Sequence, residues 1–310
     1  MILSIDFGGA DAKLGLITRD GEIRARGAAD VRPGDPTTPV FKAILREAEA
    51  FLSRERELLS ADRLEGVGIC ATGMIDTRTG VVVGSNGRIP GWEGTELARE
   101  ATARFNVAAT ALNDANAAAL GECFVGRAKG LSDVIMVTLG TGVGGGITIG
   151  GHVFAGPRGI AGELGHITLD RRGAPCACGK RGCFELYAST AALIKLAEER
   201  TWEPNLSGHT IFARAKAGDE TVLRALNAWI DQVAEGITGL VHIFNPQMVL
   251  IGGGVSAQEE LLIAPLRKRV LSGVMPCFAD GLRVERAMLG NDAGLIGAAK
   301  FFMDREAEVA

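Results

Sequence analysis

Aromatic side chains are scarce in this chain: twelve Phe, three Trp and one Tyr make up 5% of its 310 residues. That argues against the rows of stacked rings on which single-stranded nucleic acids lie. No run of Lys and Arg compensates, and the net charge of −4 speaks against a phosphate-backbone partner. The opening Met1-Ile-Leu-Ser-Ile-Asp6 lacks a basic lead and has an acid in its first apolar stretch, unlike an export signal. No apolar run approaches the length that crosses a bilayer. Low-complexity tracts and Pro- or Ser-rich linkers are also missing, as is any G-x-x-x-x-G-K-[ST] sequence, which removes the P-loop class. These absences leave a soluble, cytoplasmic chain. Its hydrophobic content of 47% is enough for a sizeable core, and its 43 glycines point to many tight turns. At this length two domains are expected, or one large one divided by a cleft.

Two segments share one pattern. Ile2 to Phe7, Gly8-Gly9 and Leu14 to Thr18 read as strand, glycine turn and strand; Val134 to Leu139, the glycine run 140–146 and Ile147 to Ile149 repeat it. Each reads as a β-hairpin. Helical periodicity covers about 39–59, 94–104, 114–123, 187–199, 219–243 and 257–270, with strands near 65–71, 80–84, 107–112 and 247–252. Alternating strands and helices predict a mixed sheet with helices on its faces, hence an α/β fold in two related halves. The predicted boundary lies near residue 115, after Asn113-Asp114.

Cysteine usage is uneven. Cys70, Cys123 and Cys277 sit in apolar stretches and are expected to be buried core thiols. The other three fall close together, in Cys176-Ala-Cys178-Gly-Lys-Arg-Gly-Cys183-Phe-Glu185, shortly after Glu163-Leu-Gly-His166. Cys-x-Cys cannot form a relaxed disulfide, and a chain without an export signal keeps its thiols reduced. One imidazole and three thiols, His166, Cys176, Cys178 and Cys183, suit a closed tetrahedral zinc site. The alternative is three unrelated cysteines in a glycine-rich loop. Glu163 and Glu185 bracket the set and are expected to hold a polar ligand instead of the metal.

Gly140-Thr141-Gly142-Val-Gly-Gly matches G-x-G-x-x-G, but it runs into strand-like Ile147-Thr-Ile149. A dinucleotide fingerprint needs a helix there. What remains is a glycine hairpin whose bare amides can meet phosphate oxygens, or simply a structural turn. Gly8-Gly9 and Gly252-Gly253-Gly254 are similar turns at strand ends, and three of them could line one nucleotide cleft. Asp6 ends an apolar strand just before Gly8. A carboxylate there needs a partner, either Mg²⁺ carried with a nucleotide or nearby turn amides. Asn113-Asp114 stands at a strand-to-helix junction, where one residue caps the helix and where α/β sheets put ligands. Phosphoryl transfer needs a group that orients the attacking hydroxyl and takes its proton, and Asp114 suits that role.

These pieces, in this order, resemble the ROK family of sugar kinases and sugar-responsive repressors, within the actin-like ATPase superfamily. The opening loop corresponds to Asp6-Phe-Gly8-Gly9, the Asn-Asp pair to Asn113-Asp114, and the second phosphate loop to Leu139-Gly140-Thr141-Gly142. Glu163-Leu-Gly-His166 and the Cys176–Glu185 stretch correspond to the family's E-x-G-H and C-x-C-G-x-x-G-C-x-E. The resemblance implies two actin-like (ribonuclease H-like) α/β domains closing over a cleft, with a structural zinc loop. The first would span 1–115, and a C-terminal helix near 293–310 would pack back on it; the larger second domain would span 116–292. Glucokinases and N-acetylmannosamine kinases of the family imply ATP-dependent phosphorylation of a hexose or N-acylhexosamine, typically at the 6-hydroxyl. Asp114 would be the catalytic base, and Asn86, Asn113, Asp114, Glu163, His166 and Glu185 would face the sugar. His166 would use one ring nitrogen for zinc and the other for the ligand. Asp6, Gly8, Gly9, Lys13, Gly140, Thr141, Gly142, Gly252, Gly253 and Gly254 would serve ATP with its magnesium.

Two departures stand out. The family's Asp-x-Gly-Gly-Thr-Lys is Gly9-Ala10-Asp11 here, which loses a hydroxyl and places a negative charge near the phosphates, with Lys13 as a partial substitute. Family glucokinases carry Asn-Leu-Pro-Gly-Trp; this chain has Arg88-Ile-Pro-Gly-Trp92, with Asn86 two residues early. A sugar-binding sensor with impaired catalysis is therefore the competing expectation. A repressor would need a basic winged-helix module ahead of the phosphate loop, and none is expected. The expected partners are a small sugar, ATP and further copies of the chain as a dimer or tetramer, with neither nucleic acid nor membrane.

Overall fold

The computed structural model describes residues 1–9, 11–31, 39–85 and 87–309. In chain order the first elements are β1 (Ile2–Phe7), β2 (Ala12–Ile17), β3 (Ile23–Ala29), α1 (Val40–Arg54), α2 (Arg56–Ala61), β4 (Gly66–Ala71), β5 (Met74–Asp76) and β6 (Val81–Gly84). Next come α3 (Leu97–Phe105), β7 (Ala109–Asn113), α4 (Asp114–Phe124), β8 (Val134–Leu139), β9 (Val143–Ile149) and β10 (His152–Val153). The cysteine-bearing stretch then leads into α5 (Glu185–Ala188), α6 (Thr190–Thr201), α7 (Gly208–Lys216) and α8 (Glu220–Phe244). The chain closes with β11 (Met248–Gly252), α9 (Ala264–Gly273), α10 (Pro276–Ala279), β12 (Arg283–Arg286) and α11 (Ala293–Val309). None of the described helices is long and apolar enough to cross a membrane.

Two compact units result. The first comprises Met1–Gly130, Gly151–Ala161 and Asn291–Ala310, and the second Leu131–Gly150 and Gly162–Gly290. The first unit therefore runs past residue 115 and takes back a stretch of 151–161 that sequence reading assigned to the second domain. Its sheet has the order β3-β2-β1-β4-β7. β1 and β2 pair antiparallel, as do β2 and β3, whereas β4 and β7 run parallel to β1. Alternation along β1 explains the layers on both faces. Leu3, Ile5 and Phe7 join Phe41, Ile44 and Phe51 of α1, and Leu97 and Ala101 of α3, in one core. Ile2 points the other way, to Leu295, Ala299 and Phe302 of α11. A third cluster joins Cys70 and Leu112 of the sheet to Ala117 and Leu120 of α4 and Ala298 of α11.

Glycine is what lets α11 lie so close. A Cβ on Gly297 would stand 1.7 Å from the Ala117 carbonyl oxygen, and one on Gly121 would stand 2.4 Å from that of Ala293. Helix α4 is thereby locked to α11, which is why the first unit extends through α4 instead of ending at its start.

The second unit repeats the plan: β8 pairs antiparallel with β9 and parallel with β11, which is parallel to β12. Its core gathers round α8. Asp219 caps that helix by accepting the N–H groups of Thr221 and Val222, and Val222, Leu226, Trp229, Val233, Ile237 and Leu240 form its buried stripe. The expected helix at 257–270 is a π turn over Glu259–Ile263 passing into α9. Cys70 is buried as expected, but Cys123 is only half-buried and Cys277 is exposed. The apolar neighbours of Cys277 belong to α10, a one-turn helix with no buried residue.

Gly297→Ala should lower the urea midpoint and cost about 1–3 kcal/mol or more, because the added methyl meets backbone. Gly239→Ala, on α8 with no atom within 4 Å of the new Cβ, should be neutral or stabilise by up to about 1 kcal/mol. Equal midpoints for the two variants would show that α4 and α11 have room to spare.

Candidate active site

In the first unit, polar residues gather where parallel strands end. Strand register sets Asp6 beside Cys70, and Ala71 beside Asn113, so β1, β4 and β7 bring Asp6, Asn113 and Asp114 to one edge of the sheet. Asp6 is only 9% exposed, and its partner is a cation of this chain. Lys13, opposite it on β2, brings its Nζ to 3.1 Å from Asp6 Oδ2 and also donates to the Asn291 carbonyl at 3.4 Å. Gly294 of α11 leaves room for the carboxylate: a Cβ there would lie 2.9 Å from Oδ2. Burial pushes the Cys70 thiol well up, and the charges of Asp6 and Asp114 add to it, so this sulfur stays protonated between the two carboxylates. Gly9 follows at φ +102°, a conformation that costs glycine little. Asp11 is exposed, and Ala10 lies outside the described residues.

Asn113 caps α4. Its Oδ1 accepts from the Ala115 and Asn116 amides at 2.9 and 3.2 Å, and its Nδ2 donates to the Gly73 carbonyl at 3.1 Å. A primary amide has two donor hydrogens, so the cap does not exhaust this side chain. Asp114 is half-buried in the first turn, and its Oδ1 accepts from the Ala115 amide at 2.8 Å. The positive end of the helix dipole favours a carboxylate at that position. The segment before this site is pinned by Trp92, whose indole donates to the Thr72 carbonyl at 2.9 Å and whose ring meets Phe7 edge-on. Asn86 itself is outside the described residues.

In the second unit, Gly140–Gly142 turns β8 into antiparallel β9, with Leu139 opposite Val143. A hairpin turn stands where the dinucleotide fingerprint would start a helix. Thr190 fixes it by donating its amide to the Gly140 carbonyl at 2.8 Å, while Thr141 stays exposed at the tip. Gly252–Gly254 ends β11, the parallel neighbour of β8. Gly253, at φ +88°, rests so close to Leu139 that a Cβ would be 2.2 Å from its carbonyl oxygen. These two glycine turns are thus side by side. Glu185 approaches the first of them, since a Cβ on Gly142 would stand 2.8 Å from Glu185 Oε2.

The loop with the thiols is held by short backbone links. Phe184 N–H donates to the Ile167 carbonyl at 2.8 Å, and Cys176 N–H to that of Lys180 at 2.8 Å. The Lys180 ammonium reaches the His166 carbonyl at 2.8 Å. Phe184 seats its ring where Gly236 of α8 has no side chain; a Cβ there would be 2.2 Å from the ring. One donor atom each from His166, Cys176, Cys178 and Cys183 all lie within 4.8 Å of one another. Cys178 and Cys183 sulfurs are 3.5 Å apart, and Cys176 Sγ is 3.7 Å from His166 Nδ1. Zinc–sulfur bonds of about 2.3 Å at tetrahedral angles put sulfurs roughly 3.8 Å apart, so the donor set fits that ion. Burial and the neighbouring thiols push Cys183 up to about 12, a crowding that a bound cation relieves.

His166 has two different sides. Nδ1 lies toward Cys176 and within 3.7 Å of Glu185 Oε1, and Nε2 is 4.0 Å from Glu163 Oε2. Lost hydration pushes the Glu163 carboxyl up, and the charge of Glu185 works in the same direction against the pull of His166, although 41% of the side chain is exposed. Thr190 and Gly294 were not singled out from the sequence. Only the Ser189-Thr190 helix start, a capping pair, could have drawn attention to the first.

The ROK family profile matches residues 2–305. The glucokinase of Thermotoga maritima is 33% identical over 317 residues, covering 98% of each chain. The xylose repressor of Bacillus subtilis is 34% identical over 241 residues, which cover 78% of this chain and 62% of the repressor. Among solved structures, a ROK family glucokinase from Streptomyces griseus, in complex with glucose and AMPPNP, superposes with a TM-score of 0.78. It is 30% identical, with coverage of 96% of this chain and 98% of that one. Profile, near full-length identity and shared fold agree with the hairpins and the thiol cluster: the chain belongs to the ROK family.

Proposed function

We propose that this protein is a kinase that moves the γ-phosphoryl group of ATP to a hydroxyl, the 6-hydroxyl, of a hexose or N-acylhexosamine. The observation that carries the reading is the start of α4. Asn113 takes over the cap, and Asp114 keeps a half-buried carboxylate at the strand edge it shares with Asp6. Asp114 accepts the proton of the attacking hydroxyl as the new oxygen–phosphorus bond forms, and the bond to the bridging oxygen breaks to release ADP. Asn113, Glu163, His166 and Glu185 hold sugar hydroxyls, with Asn86 as a further contact, and so position the nucleophile. The glycine turns at 8–9, 140–142 and 252–254 offer amides to the phosphates. Magnesium brought with ATP supplies charge neutralisation, and Asp6, buried at a strand end, is the carboxylate suited to hold it. Zinc at His166, Cys176, Cys178 and Cys183 has a structural part, keeping Glu163 and Glu185 on a fixed loop.

A sugar-binding sensor is the second reading. It is favoured by the Lys13–Asp6 pair, which already neutralises the carboxylate, and by the exposed Asp11 beside it. ADP release over a sugar panel, with ATP and polyphosphate as donors, separates the two: no transfer to any sugar would end the kinase reading.

Asp114→Asn should reduce kcat by about 10²–10⁴-fold or more while sugar affinity stays within a few-fold. A variant that keeps over a tenth of the parental rate would show that the base lies elsewhere. Metal analysis should find about one zinc per chain, and Cys178→Ser should lose both metal and sugar binding. Structural zinc contributes on the order of 10 kcal/mol in small folded units, so a fully active metal-free preparation would refute the structural part assigned to it. Asp11→Lys should lower the KM for ATP several-fold and leave that for sugar unchanged, since removing a like charge is worth roughly 1 kcal/mol at a solvated site. A rise in the KM for ATP would mean that Asp11 assists the donor.

A further inference from the structure

Asn116 is the third residue of α4 and is 4% exposed. Its Nδ2 donates to the Ala161 carbonyl at 3.2 Å. Its Oδ1 is buried and has no hydrogen-bond partner. Leaving a buried acceptor unsatisfied costs stability, and an apolar side chain of similar size would avoid that cost. Packing alone therefore does not account for an amide here, and the bond to Ala161 is what the amide provides.

That bond ends a clamped segment. The Ala161 amide closes back on the Ala155 carbonyl at 2.8 Å, and the Thr77 amide donates to the Gly159 carbonyl at 3.3 Å. Gly159, at φ +72°, lies so near Asp76 that a Cβ would be 2.7 Å from its Oδ1. Asp76 is fixed in turn by the Arg78 guanidinium at 2.9 and 3.1 Å. So β5 and its turn grip residue 159, and Asn116 grips residue 161. The chain then passes Gly162, at φ +106°, directly into Glu163. The same Asn116 gives its backbone N–H to the Asn113 cap.

We propose that Asn116 is a positioning residue for the reaction. It ties the helix start that carries Asn113 and Asp114 to the segment that delivers Glu163 and His166. Sealed from solvent, it acts through those residues and not on the substrate. This rests on the sugar-kinase reading for its kinetic consequence, but not for its structural one.

Asn116→Leu tests it, because it keeps the branched shape and heavy-atom count and removes both the bond and the orphaned acceptor. The melting temperature should stay level or rise, while kcat falls at least tenfold and the sugar KM rises at least tenfold. The KM for ATP should stay within twofold, since the glycine turns and Lys13 have no bond to this amide. Hydrogen exchange at 162–166 should speed up, with 183–188 unchanged. Asn116→Ala, assayed well below its own melting temperature, is the second variant should Leu prevent folding, with the same kinetic split expected. Sugar KM and kcat within twofold of the parent in a folded variant would overturn the proposal. So would a loss of rate that tracks only the fraction of folded protein and leaves both KM values unchanged. Absence of turnover in the parent would sink the kinase reading instead, and exchange at 162–166 would then decide on Asn116 by itself, with unchanged rates overturning it.

Discussion

Four donor atoms within 4.8 Å of one another, three of them sulfur, are the constraint on which the second unit's polar residues depend. The stretch from Glu163 to Cys183 contains only a single short 3₁₀ turn, so neither a helix nor a strand fixes it. Short backbone links, Phe184 to Ile167 and Cys176 to Lys180, do that, and a cation at the four donors would add a cross-link. The imidazole comes from one end of the stretch and the thiols from the other, and Phe184 then locks the end into the notch at Gly236 of α8. Glu163 and Glu185 flank the cluster, so whatever orders the sulfurs also orders these carboxylates. A closed donor set beside two acids is suited to turn a loop without regular structure into a rigid platform once a cation is bound.

The first unit solves a different problem with a different device. Its candidate site residues sit at the ends of parallel strands, where backbone pairing stops and α/β sheets put ligands. Asp6 is the costly one, a carboxylate nearly buried in an apolar strand. Lys13 offsets the cost from the neighbouring strand, and the bare Cα of Gly294 gives the carboxylate space. The sequence rule that a buried acid needs a partner was right, but the partner is a lysine two positions beyond Asp11 and directly across the β1–β2 register.

Legibility in the sequence followed the range of the signal. The glycine hairpins, the thiol cluster and the Asn-Asp junction are local, and each was readable from spacing. Helix α8 was readable because its apolar stripe persists over 25 residues. Edge strands were not. β3 presents Ala25 and Gly27 among exposed arginines, and β12 buries only Val284 among its four residues, so neither has the alternation of large apolar residues that marks a strand. Helix α7 was hidden by its short length and polar surface. The division of the chain was least readable, since it depends on contacts between residues far apart. Nothing near residue 115 announces that α4 will pack on α11 through Gly121 and Gly297, or that residues 151–161 return to the first unit. Cys277 misled for the opposite reason: its neighbours Phe278 and Ala279 are half-buried against the core, while the thiol itself lies on the outer side of that single turn.

The start of α4 shows how one helix terminus can hold three polar residues, Asn113, Asp114 and Asn116, in different surroundings. A helix begins with unsatisfied N–H groups, and Asn113 meets two of them with one oxygen. Asp114 Oδ1 shares the Ala115 amide with it, and the carboxylate sits at the strand edge near the positive end of the helix. Asn116, a turn later, points inward, where its amide is spent on the chain that leads to Glu163. Asn113, Asp114 and Asn116 point in different directions because helical geometry rotates each residue by roughly 100°. The order of the three is therefore set by the helix itself: the cap comes first, the half-buried carboxylate next to it, and the buried amide on the opposite face.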